Sequence, residues 1–178
     1  MKRPNNSKDF QFTETVTKSG RIRMDAVYVG PHFVFSDPAA AARAKWLLPV
    51  CAVLGWALYI GALFPRSGAS RLLFAVLPFV FTALPLWALT ESAFSLLTQR
   101  LPMIRSAADR LSKKLPQACL AGMILCGVTL LGMLAAAVFF RSRLNRWDIL
   151  FSACALLFAG VFALARAQGK ALAVREQS

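Results

Sequence analysis

One histidine, four cysteines and eight carboxylates are nearly all the side chains in this sequence that could bind a metal, attack a carbonyl or pass a proton. His32 stands alone, so a zinc site would need cysteines to complete it. Cys51, Cys119, Cys126 and Cys154 form no C-x-x-C pair, and each falls inside a long apolar run. That setting suits small buried hydrophobes better than disulfides or metal ligands. A Cys–His nucleophile lacks its parts for the same reason. The sequence holds no Gly-rich phosphate loop, no membrane-protease serine motif and no clustered carboxylates of a metal-dependent phosphotransferase. The expected catalytic, cofactor and metal sets are therefore empty, and the chain reads as a non-enzyme.

Transport chemistry is nearly as sparse. Ionisable residues inside the bilayer usually mark ion or proton pathways, yet no charge interrupts any of the four apolar runs. The first run has no acidic residue for proton coupling, and Glu91, just past the second, is the nearest candidate. It is expected to be a boundary carboxylate, paired with a nearby arginine or solvated. Within the runs, polar chemistry offers little beyond Thr82, Thr129, Ser152 and any carbonyls freed by Pro78 and Pro85.

The elements that must position these residues follow from composition. Of 178 residues, 57% are hydrophobic and 16% charged, whereas an ordinary soluble domain has about 25% charged residues. With a mean hydropathy of +0.55, the apolar excess belongs in lipid. The runs free of ionisable residues are 46–65, 72–90, 115–140 and 149–165. A helix needs roughly 17–25 residues to cross the hydrocarbon core, so the expected fold class is an all-α membrane protein with four transmembrane helices. The fourth run is the shortest. No cleaved signal peptide is expected, because the first run begins only at Trp46 and lacks a small-residue cleavage pattern.

Lysine and arginine set the orientation. Eight precede the first run, five lie in the middle loop and three follow the fourth run, against two and three in the other loops. Sixteen against five places both ends and the middle loop in the cytoplasm, with the bacterial inner membrane as the expected location. Trp46 and Trp87 suit the inner boundary, Phe64 and Trp147 the outer one. The net charge of +13 is accounted for by these flanks. No nucleic-acid motif accompanies it, so lipid rather than nucleic acid is the expected partner.

Residues 1–37 read as a cytoplasmic β element. Phe10, Phe12 and Val16 alternate with polar residues, as do Ile22, Met24, Ala26 and Tyr28, and Lys18-Ser19-Gly20 supplies a turn. His32–Phe35 resumes an extended pattern, so a hairpin or three-stranded sheet is expected. An isolated hairpin is marginal in water, which makes the face around Phe12, Met24 and Tyr28 the candidate for docking a partner. Ser36-Asp37-Pro38 then starts a helix that runs into the first span, with a kink expected at Pro49 and a bend at Pro78 and Pro85.

Residues 101–114 carry Leu101, Ile104, Ala108 and Leu111 at helical spacing among basic residues. This suits a cytoplasmic amphipathic helix lying on lipid, with docking against the strands as the alternative. Residues 167–178 are the expected tail. In the third run Ala118, Gly122, Cys126, Gly132 and Ala136, and in the fourth Ala155, Ala159 and Ala163, mark close helix packing within one chain or between copies. The function these features suggest is an accessory, assembly or regulatory subunit of a membrane complex, bound to a membrane protein or to a second copy. The alternative is a small transport protein, either a homo-oligomeric pore or a permease subunit.

Overall fold

The computed structural model describes residues 10–16, 22–63, 72–98, 103–139, 145–172 and 174–176. The chain folds as β1 (Phe10–Val16), β2 (Ile22–Tyr28), β3 (Phe33–Phe35), α1 (Pro38–Leu63), α2 (Leu73–Phe81), α3 (Ala83–Thr98), α4 (Arg105–Asp109), a π turn (Arg110–Lys114), α5 (Leu115–Phe139), α6 (Arg146–Ala171) and β4 (Val174–Glu176). Four continuous stretches are long and apolar enough to cross a membrane: Pro38–Leu63, Leu73–Thr98, Arg105–Phe139 and Arg146–Ala171. Large apolar side chains project outward along them, with Ile149 75% and Phe139 77% exposed. Water would not tolerate so extensive an apolar girdle on a monomer. The chain is a multi-pass membrane protein.

Local chemistry sets the helix limits. The Ala39 amide donates to Asp37 Oδ1 at 2.8 Å, and Pro38 occupies the first helical position, where its missing N–H costs nothing. α1 then runs unbroken through Pro49. The second span breaks between α2 and α3 at Thr82. The Pro85 ring crowds the carbonyl four residues back and Pro78 has no amide to give. The Thr82 N–H turns to the Phe79 carbonyl at 3.0 Å, and the Thr82 hydroxyl donates to the same oxygen at 2.5 Å. At the start of α6, Asn145 Oδ1 accepts from the Trp147 amide while Asp148 Oδ2 accepts from the Asn145 amide, a reciprocal cap. The fourth helix thereby gains three residues before the apolar run begins and six after it ends.

The spans close into a ring in which α1 packs on α3 and α6, while α5 packs on α2, α3 and α6. Its centre is aromatic. Phe79 of α2 stacks on Tyr59 of α1 and meets Phe151 of α6 edge-on at 5.0 Å, and Phe158 lies 4.7 Å from Phe162 on α6.

Two expectations change, and the β element takes the hairpin form of its two expected alternatives. Residues 105–114 continue directly into the third span rather than forming a separate helix, and Ala107, Ala108 and Leu111 are buried in the bundle. The π turn has a cause in the sequence: Pro116 cannot donate to Ser112, and the Leu115 amide reaches back five residues to Arg110. β3 does not join the hairpin. It pairs antiparallel with β4, Phe33 opposite Glu176 and Phe35 opposite Val174, and on its other side Phe33 and Met103 exchange backbone hydrogen bonds of 2.9 Å. The expected tail is therefore a helical turn and a strand, since α6 persists to Ala171. These pairings place β3, Met103 and β4 at one end of the bundle, which requires an even number of crossings between β3 and β4. Phe64 and Leu101 lie outside the described residues.

Candidate functional site

The hairpin is where the sequence places partner contact. Its register pairs Phe10 with Tyr28, Phe12 with Ala26, Glu14 with Met24 and Val16 with Ile22. Residues opposite one another in an antiparallel pair share a face, so the two apolar alternations read in the sequence fall on the same face, interrupted only by Glu14. The other set pairs Gln11 with Val27, Thr13 with Asp25 and Thr15 with Arg23. Phe12, Met24 and Tyr28 thus occupy register positions on a single two-stranded sheet, distinct from the β3–β4 sheet.

Small residues at helix crossings behave individually. Gly122 lies under the Phe162 ring, so close that a Cβ there would stand 2.6 Å from Cε2. Cys126 and Ala155 are fully buried, and Ala159 packs partly buried against the core. Gly132 meets a different neighbour: a Cβ there would stand 3.1 Å from Ala75 Cα and 3.2 Å from the Phe74 carbonyl, both of α2. Ala163 is exposed and takes no part in the crossing. Two close approaches escaped the sequence reading. Gly55 sits against Leu86 and Phe158, and Gly169 against Leu115 and Pro116. For Gly55 the available signal is its aromatic partner, because Phe151, Phe158 and Phe162 recur at spacings of seven and four on α6.

Polar groups in the spans are spent locally. Ser92 donates to Ala88 O at 2.7 Å and Thr129 to Leu125 O at 2.9 Å, each one turn back on its own helix. Trp56 Nε1 reaches across from α1 to Thr90 Oγ1 on α3 at 3.0 Å. Glu91 pairs with Arg110 of the π turn, the expected disposition for a boundary carboxylate. Arg166 follows the fourth apolar run in sequence, and the longer α6 carries it partly into the bundle. Its Nε is buried without a hydrogen-bond partner. Among the described residues, no three His, Cys, Asp or Glu side chains gather as a metal site would require.

Comparison with protein-family models, curated proteins and solved structures yields no match.

Proposed function

We propose that the protein is a non-catalytic accessory, assembly or regulatory subunit of a membrane complex, acting by contact through its β1–β2 hairpin. The observation that carries this reading is the hairpin's register, which gathers seven apolar positions on one face of a two-stranded sheet. Such a sheet is marginally stable alone, and its apolar face calls for a cover from a membrane-protein partner or a second copy. The interior argues the same way. A solute path needs convergent polar groups, whereas Phe79, Phe151, Phe158 and Phe162 fill the centre and the buried hydroxyls bond their own helices. The sixteen-to-five split of basic residues supports an inner-membrane orientation with β3, Met103 and β4 on the cytoplasmic side.

The test is purification in mild detergent from the native host. A distinct partner should co-purify, and deleting residues 10–28 while keeping β3 should release it with all four spans still inserted. Reporters fused at Gly68 and Asn145 should read external, and those after Gly20, Ser106 and Ser178 internal. If the purified protein alone moves an ion or solute across liposomes, transport is the function and this proposal is wrong.

A further inference from the structure

At the cytoplasmic end of the bundle, beside the β3–β4 sheet, an apolar pocket of about 340 Å³ lies between α1, α3 and β3. One wall is a single stripe of α1, Pro38, Ala41, Ala42 and Lys45, at the i, i+3, i+4, i+7 spacing that aligns side chains on one helical face. Leu96 and Met103, both nearly fully buried, form the opposite wall. Small alanines on one side facing large side chains on the other are what leave the space open.

Lys45 supplies the only charge among these lining residues. Among the described residues it makes no ion pair. The nearest carboxylate in sequence, Asp37, is engaged by the Ala39 amide at the opposite end of the stripe. Trp46, the next residue, is 77% exposed and begins the apolar run that enters the bilayer. On that reading Lys45 lies at the headgroup layer and the stripe from Ala42 to Pro38 runs from it away from the hydrocarbon core, so a chain entering the pocket turns out of the leaflet beside its own headgroup.

We infer that this pocket binds one acyl chain of an anionic glycerophospholipid from the inner leaflet, with the headgroup held by Lys45. Size and charge both lead there. The volume is a little over twice the roughly 150 Å³ cavity that takes a benzene ring, enough for a segment of about a dozen carbons. A largely apolar site of this volume with one placed polar group is the usual form of a small-molecule pocket. An acyl chain gains little by moving from bilayer to protein, since both surroundings are apolar. The attraction of Lys45 for the headgroup therefore decides occupancy, and one surface lysine favours an anionic lipid by roughly fivefold.

Native mass spectrometry of the full chain in a nonionic micelle, titrated with phosphatidylglycerol or phosphatidylcholine, tests this. One phosphatidylglycerol should bind about fivefold more tightly than phosphatidylcholine. Lys45→Gln should erase that preference, Lys170→Gln, a basic-charge control on the exposed end of α6, should keep it, and Ala42→Phe should remove the tight site by filling the pocket. Lys45→Gln alters an exposed side chain, so its result stands even if Ala42→Phe fails to fold. Equal binding of the two lipids, equal behaviour of the two lysine variants, or undiminished binding to a folded Ala42→Phe protein would each overturn the inference. The last outcome would mean nonselective lipid around the bundle or a protein segment as the pocket's occupant.

Discussion

Replacing Gly122 with alanine adds one methyl group where the ring of Phe162 already lies. The new carbon would stand 2.6 Å from Cε2 and 2.7 Å from both Cδ2 and Cζ, all well inside van der Waals contact. Phe162 cannot simply swing aside, because it is fully buried and its other flank meets Phe158 at 4.7 Å. Relief must come from moving α5 away from α6. Overpacking of this kind costs about 1–3 kcal/mol, and three simultaneous clashes argue for the upper half of that range. Against it stands the better helix propensity of alanine, up to about 1 kcal/mol. The net expectation is a loss of about 1–2 kcal/mol, which for a chain of this size lowers the apparent melting temperature in detergent by roughly 3–6 °C.

Gly127→Ala, on the same helix, is the internal control. A Cβ there meets nothing within 4 Å, so only the propensity gain remains and the melting temperature should hold or rise slightly. Phe162→Leu should soften the penalty at Gly122, making the double variant more stable than the separate losses predict. Melting of Gly122→Ala at or above the parent temperature, together with Gly127→Ala, would refute the close crossing of α5 and α6.

Two further outcomes follow from the ends of the bundle. In a cysteine-free background, Val34→Cys with Arg175→Cys should crosslink on mild oxidation in intact membranes, because the two residues are register partners; no crosslink, beside a control pair that does form, would separate β3 from β4. Asn145→Ala removes the acceptor for the Trp147 amide and should cost about 1 kcal/mol, read as a lower melting temperature that Asn145→Asp largely restores.

The limits of sequence reading lie along physical lines. Spans were legible because burial in lipid is a property of each residue, visible as a run without charge. The break at Thr82 was legible from Pro78 and Pro85 because proline acts on its own helix. Pairing in space was less so. Nothing in Phe33–Phe35 announces that its partner is Val174–Glu176, some 140 positions away, since three residues of β propensity fit many neighbours. The 101–114 segment differs: its apolar stripe is legible, but a stripe reports that something apolar covers it and leaves open whether that is lipid or protein. In the fold, Ala107, Ala108 and Leu111 face the bundle, because Leu115 continues the same helix directly into the third span.

Arg166 joins these strands of reasoning. A charge just past an apolar run reads as the edge of a span, so the apolar run ends at Ala165. The helix instead continues because Gly169 allows α6 to press against Leu115 and Pro116 at the root of α5, and Leu172 is buried beyond it. A close crossing about one turn beyond the run's end thus draws a guanidinium partly into the bundle, leaving its Nε buried and unbonded. Orphaned donors in an apolar setting are costly, and here the cost is carried by the packing that also holds β4 in reach of β3. This end of the bundle is consequently one coupled assembly of the root of α5, the end of α6, the β3–β4 pair and the Met103 bridge.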